Sequence, residues 1–499
     1  SSSLLRASQS PLARSPLSME DGKTPETVTA PAPPAEKPRP RHEIQYTHRN
    51  TADKILHTKK KHRTDISWHK WDASDYASSD FCKRALKRGG TGVPNTIQLD
   101  RIHRKHVTPE QFFSQYAAPQ RPCIVEGCMD DWPAYRDGTW APSELEQRFR
   151  HVEFKCGQDD SGRKLRMKMK YFYDYLKAQK DDSPLYLFES SFHDAGRIHT
   201  LMDEFKVPDF FPADLFNLVG RDRKPPYRWF CIGPERSGST VHIDPLGTAA
   251  WNSVTSGYKL WVLFEPAVAR KLAKGKEFVK EGEDDEAIMY FDFILPRIRE
   301  AHPDLRIYEV LQKPGDTIFV PGNWWHGVVN LADTVAVTQN YCGFDNFDMV
   351  WCKTRKDRKK LAVRWLASMQ RFMPELYARA RSLNQRDGFV MYNERQAGDA
   401  SSSSDSSSSS SSTETSEDDE DIDFTGLRDS LQLRTWSHVN SCDPPGVHKA
   451  TSPSPGRTAR TSNGYANGHG RMNGHSNGHP HPPSNGVTQP AKRSRNDSA

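Results

Sequence analysis

Short apolar segments separated by turn residues make up the middle of the chain, from about residue 186 to residue 345. Turn signals such as Gly233-Pro234 and Pro321-Gly322 divide them into lengths typical of strands. Many short strands bounded by glycine and proline indicate a sandwich or jelly roll, not a parallel sheet with crossover helices. A polar stretch at 271–285 is predicted to interrupt them as a helical or irregular insert. The clearest predicted strands are 227–232, 240–243, 259–264, 317–320 and 334–338.

The segment before this region is predicted to contain short helices and one strand. Residues 42–95 are basic with a few aromatic side chains, as expected for an arm of short helices that lies on the core. Thr108 followed by Pro109 is a helix start, with threonine as the cap and proline at the first helical position. The apolar residues within 121–133 then indicate a short strand that runs into a turn.

After residue 346 the hydrophobic period becomes that of a helix. Leu361, Trp365, Met369 and Phe372 recur at the spacing of one helical face, and Pro374 is placed to open a second helix. These helices are expected to cover the core or to form an oligomer interface.

Composition assigns much of the remaining chain to tails. Only 35% of the 499 residues are hydrophobic and the mean hydropathy is -0.80, yet 12 Trp, 23 Phe and 16 Tyr suffice for one large core. The expected fold class is mainly β with flanking α. The expected organisation is 1–41 disordered, 42–95 basic N-terminal arm, 96–185 helical and strand part of the catalytic region, 186–345 β core, 346–396 C-terminal helices, and 397–499 disordered tail rich in serine, acidic residues and Asn/Gly/His.

Cysteine and charge patterns indicate the compartment. The eight cysteines are scattered without a CxxC pair, which favours reduced thiols in an intracellular protein over a disulfide framework or a zinc ribbon. No apolar run approaches the roughly 20 residues of a membrane span. Four basic runs, including 59–63 and 355–360, have the composition of nuclear-import or phosphate-binding segments. A single run is more often a solvated face, but four together favour a nuclear protein.

Candidate metal ligands occur between Val241 and Pro245 and again at His326. In a strand the side chains at i and i+2 share a face, so His242 and Asp244 are predicted to point into one cavity. By itself a His-x-Asp pair is more often a surface ion pair. His326 follows a Pro-Gly turn between two apolar strands and supplies a third ligand. Two histidines with one carboxylate form the facial triad typical of non-haem iron(II).

Lys259 is unusual because it lies in the apolar and aromatic segment Tyr258-Lys259-Leu260-Trp261. A lysine buried there requires an anion, and the distal carboxylate of 2-oxoglutarate would supply it. The ordinary alternative is a surface lysine that extends its ammonium into solvent. The predicted iron triad favours burial.

Long collinear motifs run from about residue 45 to residue 380. They include 182–186 (DSPLY), 225–230 (PPYRWF), 242–248 (HIDPLGT), 312–315 (QKPG) and 324–326 (WWH). These motifs resemble those of the Jumonji-C family of iron(II)- and 2-oxoglutarate-dependent oxygenases. The resemblance implies a double-stranded β-helix core, that is, a cupin-like jelly roll, with N-terminal and C-terminal helices. It also implies the cofactors Fe(2+), 2-oxoglutarate and O2.

The resemblance gives roles to the candidate residues. It implies that His242, Asp244 and His326 bind iron. Where the family usually has a threonine for the co-substrate carboxylate, this chain has Ser239 followed by Thr240, so the residue that donates the hydroxyl is left open. The residues expected to bind 2-oxoglutarate are Lys259, Ser239, Asn252, Thr338 and Tyr186, and those expected to line the substrate pocket are Trp251, Trp325 and Asn340.

The function implied by the resemblance is lysyl 5-hydroxylation of nuclear arginine- and serine-rich proteins such as splicing factors, with histone arginine demethylation as a further reaction. A location in the nucleoplasm or nucleolus and a role in chromatin and splicing regulation are expected with it. RNA contacts through the N-terminal arm, no membrane contact and homo-oligomerisation through the C-terminal helices are also expected. Two alternatives stay open: a non-catalytic nuclear adaptor that binds RNA or basic proteins, and a zinc-bound, catalytically silent cupin.

Overall fold

The computed structural model describes residues 46–394, except for 68–69, 193–195, 212–213, 221–222, 282 and 284–285. The tails predicted at 1–41 and 397–499 therefore lie outside the described residues. None of the helices in the described part is long and apolar enough to cross a membrane.

Strands form the centre of the described chain. In chain order they are β1 (Ile97–Gln98), β2 (Asp100–His103), β3 (Cys123–Glu126), β4 (Glu153–Gln158), β5 (Lys164–Lys168), β6 (Leu187–Glu189), β7 (Arg228–Gly233), β8 (Gly238–His242), β9 (Ala249–Ser256), β10 (Lys259–Phe264), β11 (Tyr308–Gln312), β12 (Asp316–Val320), β13 (Trp325–Asn330) and β14 (Thr334–Tyr341).

The strands form two large sheets and one hairpin. One sheet has the order β1-β11-β10-β13-β8, the other has the order β2-β3-β12-β9-β14-β7-β6, and β4 pairs with β5 alone. The central pairs are antiparallel, whereas the edge pairs β1-β11 and β2-β3 are parallel. Because neighbours in each sheet are mostly not consecutive in the chain, the strands cross between the sheets as in a jelly roll. The predicted fold class is confirmed.

Helices lie before, between and after the strands in the chain. They are α1 (Thr51–His62), α2 (Phe81–Arg88), α3 (Pro109–Phe112), α4 (Pro133–Arg136), α5 (Pro142–Phe149), α6 (Met169–Ala178), α7 (Arg270–Lys274), α8 (Ala287–Met289), α9 (Leu295–Ala301), α10 (Phe347–Asp357), α11 (Lys359–Phe372) and α12 (Pro374–Arg386).

Most of the local predictions agree with these bounds. Strand β10 spans the predicted residues, and β14 continues to Tyr341, beyond its predicted end. The Thr108 hydroxyl accepts from the backbone N–H of Gln111, whose side chain accepts from the Thr108 N–H, so α3 begins with a full capping box. The polar insert contains α7 and a 3-10 turn at Lys276–Phe278. The sequence therefore specifies these elements locally.

Each sheet has an apolar layer on its outer face. The N-terminal elements cover the seven-stranded sheet with an aromatic-rich cluster that includes Trp132 and Phe230. Helices α7 to α9 cover the five-stranded sheet with a second cluster that includes Ile294 and Val329. Between the sheets lies an interior cluster that includes Leu263. Side chains therefore reach the interior from alternate positions of the strands.

The N-terminal arm lies on the core, as expected. Helix α1 buries Ile55 and packs against α6. The Thr51 hydroxyl and the His48 backbone N–H both donate to the buried Asp174 carboxylate of α6, at 2.8 and 2.7 Å. This carboxylate joins the arm to the folded region through charge-assisted hydrogen bonds.

Three C-terminal helices form a further layer. The predicted stripe is found on α11, where Trp365 and Met369 are fully buried, and Pro374 opens α12. Helix α10 lies within the segment 346–396 predicted to be helical, but the sequence analysis named no separate helix there, although its buried residues Phe347, Val350 and Trp351 have helical spacing. Because α10 joins α11 directly at residue 358, the hydrophobic pattern of the sequence shows no boundary between the two helices.

Trp365→Ala is expected to lower the free energy of unfolding by roughly 3 to 5 kcal/mol, because it removes a fully buried ring and leaves a cavity. The ring stacks on Phe216 with 4.5 Å between centroids, and its N–H donates to the Leu215 carbonyl. Denaturant titration followed by circular dichroism measures the change. Arg364→Ala, on the exposed face of the same helix, is the control and should change the free energy by less than about 0.5 kcal/mol. Equal losses in the two variants would contradict the assigned packing.

Candidate metal centre

The structure brings His242, Asp244 and His326 together. His242 is the last residue of β8 and lies directly opposite His326 of β13, with 4.4 Å between the ring centroids. Asp244 follows His242 by two residues. Its Oδ1 atom lies 3.7 Å from His242 Nε2 and 3.8 Å from His326 Nε2. The three potential ligand atoms lie within 4.8 Å of one another. An ion of the usual ligand distances fits between them.

Backbone carbonyls orient both imidazole rings. The Nδ1 atom of His242 lies 2.8 Å from the Thr240 carbonyl oxygen, and that of His326 lies 3.1 Å from the Trp324 carbonyl oxygen. A carbonyl only accepts, so each Nδ1 carries the proton and each Nε2 presents its lone pair toward Asp244. This is the arrangement that fixes the tautomer of a metal-binding histidine.

Burial and charge also fit a metal ion. Burial lowers the pKa of His326 to about 4, so the ring is neutral near pH 7 and free to act as a ligand. The Oδ2 atom of Asp244 is buried and has no hydrogen-bond partner. A buried carboxylate oxygen without a partner is costly, and a bound cation would satisfy it.

Two packed turns hold the triad at its ends. Asp244 leads into a turn in which Leu246 and Gly247 have positive φ, and His326 follows the turn of Gly322 and Asn323. A Cβ atom on Gly322 would lie 2.6 Å from the Gly247 carbonyl oxygen, so only glycine allows the two backbones to approach this closely. The close approach keeps Asp244 beside the histidines.

Lys259 is buried in the interior beside this centre. Its side chain is 1% exposed, and its Nζ donates to the Tyr186 hydroxyl at 2.9 Å and to Asn330 Oδ1 at 2.8 Å. Within the described residues no carboxylate pairs with it, and burial lowers the pKa of Lys259 to about 8. The solvent-exposed alternative is therefore wrong. An ammonium with only neutral partners is a site for an anion.

Asn330 and Ser237 belong to this site and were missed by the sequence analysis. Asn330 lies opposite Lys259 in the β10-β13 pair and donates from Nδ2 to the Ser237 hydroxyl at 2.9 Å. A signal was available, because Asn330 follows His326 by four residues of one strand and so faces the same side. Asn330 therefore fixes the position of the lysine ammonium.

The register of β8 bears on the choice between Ser239 and Thr240. His326 lies opposite His242 but Val328 lies opposite Ser239, so β8 contains one extra residue, as in a β-bulge. Directly opposite residues share a face, and Val328 belongs to the interior cluster. The register therefore favours Ser239 on the interior face, while the Thr240 carbonyl orients His242.

The other predicted co-substrate residues lie on interior positions of β9 and β14. Thr338 pairs with Asn252, and its hydroxyl donates to the Trp251 carbonyl at 2.8 Å. Asn252 Oδ1 is buried without a hydrogen-bond partner. Asn340, which was predicted to line the substrate pocket, lies two residues after Thr338, and its Nδ2 donates to the Thr248 hydroxyl at 3.2 Å. The structure thus leaves the Asn252 amide oxygen open to a ligand, and the assigned roles stay predictions.

The structure does not bring Trp251 or Trp325 to the interior, which corrects the expectation that they line the substrate pocket. Trp251 is fully buried in the outer cluster of the seven-stranded sheet, against Trp132 and Phe211. Trp325 belongs to the outer cluster of the five-stranded sheet, where its N–H donates to the Val268 carbonyl. Both alternate with interior residues and therefore face away.

Comparison with known proteins identifies the family. A family model described as a cupin-like domain matches residues 109–347. The chain is 41% identical over 325 residues to the bifunctional arginine demethylase and lysyl-hydroxylase psr-1 of Caenorhabditis briggsae, which covers 65% of this chain and 79% of that protein. It is 38% identical to psr-1 of Caenorhabditis elegans, over 66% of this chain and 80% of that protein. It is also 24% identical to the 2-oxoglutarate and iron-dependent oxygenase JMJD4 of Gallus gallus, over 56% of this chain and 69% of that protein. With its triad and its jelly roll, the chain belongs to the cupin-like Jumonji-C family of iron- and 2-oxoglutarate-dependent oxygenases.

Proposed function

We propose that this oxygenase hydroxylates C5 of lysine side chains in nuclear proteins rich in arginine and serine, such as splicing factors. The observation that carries the proposal is the intact His242, Asp244 and His326 triad beside the buried Lys259. It agrees with the names of the psr-1 relatives, which include lysyl-hydroxylase. A non-catalytic adaptor would need neither the triad nor a buried lysine without a counter-ion.

The chain's own residues would hold the metal and the co-substrate. The two Nε2 atoms and the Asp244 carboxylate would bind iron(II), and Lys259 with Tyr186 and Asn330 would bind the distal carboxylate of 2-oxoglutarate. With both bound and O2 present, such a centre couples oxidative decarboxylation of the keto acid to succinate and CO2 with insertion of one oxygen atom into a substrate C–H bond.

In this scheme the Lys259 ammonium binds the distal carboxylate of 2-oxoglutarate and neutralises its charge. Burial lowers the pKa of Lys259 to about 8, so the ammonium is protonated below about pH 8. A carboxylate at hydrogen-bond distance would favour the charged form and raise that pKa again. The ammonium, the Tyr186 hydroxyl and the Asn330 amide would thus position the co-substrate and exclude water from its distal end.

Arginine demethylation is a second proposed reaction of the same centre. Hydroxylation of an N-methyl carbon gives a hemiaminal, which releases formaldehyde and leaves the arginine with a proton in place of the methyl group. Two observations support it: the psr-1 relatives are named bifunctional arginine demethylases, and JMJ22 of Arabidopsis thaliana, 35% identical over 259 residues, is named an arginine-specific demethylase. In both reactions a cationic side chain, lysine or N-methylarginine, would enter the same pocket at the metal centre.

We also propose a nuclear location and RNA contacts through the basic arm, together with homo-oligomerisation through the C-terminal helices. On the described part of the arm, Lys60 and Lys61 are both exposed near the end of α1. Phosphate contacts made by such side chains would weaken as salt increases.

A peptide that alternates Lys, Arg and Ser is expected to stimulate succinate formation from 2-oxoglutarate in the presence of iron(II). Mass spectrometry of the peptide should show an increase of one oxygen atom, located on lysine C5. The matched peptide with norleucine in place of each lysine should not be oxidised. Loss of a methyl group from an N-methylarginine peptide, without lysine oxidation in the first peptide, would make demethylation the main reaction.

His242→Ala and Asp244→Ala are each expected to abolish turnover while the fold is kept, because each removes a ligand atom from a triad whose outward packing belongs to other residues. Ile243, between them, packs against the outer cluster. Iron binding measured by isothermal titration, with circular dichroism as the folding check, tests the assignment. Near wild-type succinate formation by either variant would refute it.

Lys259→Ala is expected to weaken 2-oxoglutarate binding by at least about a hundredfold, because it leaves a desolvated carboxylate unpaired at a cost on the order of 3 to 5 kcal/mol. Iron binding measured without co-substrate should barely change. Ser239→Ala should give a smaller loss, of about 1.5 to 3 kcal/mol for one hydrogen bond to a charged group. Thr240→Ala is the matched control and should be silent. The reverse order of the two hydroxyl variants would show that Thr240 is the donor.

A further inference from the structure

A groove of about 660 Å³ lies beside the edge of the five-stranded sheet. Residues 86–89 at the end of α2 form one wall, and Gln98, Leu99 and Arg101 form the other. Val310 and Leu311 of β11, with Tyr258 and Lys313, complete it. None of these residues is a member of the triad or a hydrogen-bond partner of the Lys259 ammonium.

The free edge of a strand lies in this groove. Strand β1 pairs with β11 only at Tyr308 and Glu309, and the Ile97 N–H donates to the Ile307 carbonyl. Backbone groups alternate sides along a strand, so the N–H and C=O of Leu311 point to the same side as the Ile307 carbonyl. After Gln98 the chain leaves for the other sheet. Leu311 is the one residue of β11 beyond this pairing whose backbone N–H and C=O point to that side, so the two groups are available to a bound segment.

The groove is cationic. Lys87, Arg88 and Lys313 are exposed and have no ion pair within the described residues, and no carboxylate is among the residues that line the groove. Arg101 is different, because it already pairs with Glu126 and Asp316. Three uncompensated cations beside the apolar Leu99, Val310 and Leu311 fit an acidic segment that also carries apolar side chains.

We propose that the acidic segment 417–424 of this chain binds the groove in an extended conformation, next to the free backbone N–H and C=O of Leu311. Its sequence, EDDEDIDF, contains six carboxylates and places Ile422 and Phe424 two residues apart. In a strand these two side chains share one face, which suits the apolar floor, while Asp421 and Asp423 point to the other. The segment lies outside the described residues, and its charge and spacing are what match the groove.

The connection to the described region is long enough. Residues 395–416, roughly 22 residues, can span at most about 75 Å. A folded region of this size has a radius of gyration of about 20 Å, so the extended connection is longer than the diameter of the region. Because both partners are on one chain, a weak contact is strengthened by a high effective concentration.

Hydrogen exchange of the full chain at low salt tests the proposal. The first variant changes Glu to Gln and Asp to Asn at the six acidic positions of 417–424, and the second is Lys87→Glu with Lys313→Glu. Each is expected to speed exchange at Leu311 and across 417–424 by about tenfold, because the amides spend more time open. Lys54→Glu with Lys271→Glu makes the same charge change at exposed sites elsewhere and should leave both segments as in the wild type.

A charge exchange separates binding from damage to the fold. Asp418→Lys with Asp421→Lys, combined with Lys87→Glu and Lys313→Glu, is expected to restore slow exchange at Leu311. Unchanged slow exchange in β10 of every variant shows that the sheet is intact. If Leu311 exchanges equally in the wild type and in the neutralised-segment variant, the groove is free or holds another polyanion, and the proposal is overturned. Failure of the charge exchange to restore protection, with the sheet intact, also overturns it.

Discussion

The pairing of β13 with β8 on one side and β10 on the other is the constraint on which the site depends. Alternate residues of β13 face the interior, so one strand presents both His326 and Asn330. Its neighbours place His242 opposite the first and Lys259 opposite the second. His326 and Asn330 are four residues apart, so their Cα atoms lie about 13 Å apart along the strand. The side chains of the site and a five-carbon keto acid together span this distance. A slip of β13 by one residue would turn His326 and Asn330 away from the interior and from their partners on the neighbouring strands.

The same interior holds two groups that the fold alone does not satisfy. The Lys259 ammonium has neutral partners only, and burial lowers its pKa to about 8. The Asp244 Oδ2 atom is buried with no partner at all. Burial of each group costs stability unless a ligand satisfies it, and the two require ligands of opposite charge. Such local conflict is expected where a cation and an anion are to be bound, and packing elsewhere offsets it.

The sequence predicted elements with local signals and missed features set by pairing between strands. The Thr108 cap and the Trp365 stripe depend on neighbours in the chain, and both are found. The bulge opposite Gly327 depends on how β8 meets β13, which no local pattern records. Trp325 is a different case, because the period-2 rule that places His326 inside places Trp325 outside. The expectation that it lines the substrate pocket, taken from the resemblance, did not apply this alternation and is corrected by the outer position of the ring.

The C-terminal layer does more than cover the core. Helix α10 contacts the turn that follows Asp244, and its Lys353 Nζ donates to Asn323 Oδ1 at 2.6 Å, in the turn before His326. A Cβ atom on Gly322 would also meet the Met349 side chain of α10, 2.8 Å away. One helix, distant in sequence, therefore packs on both turns that carry the triad. Since ligand positions must be held to a fraction of an ångström, this layer is part of the support of the metal centre.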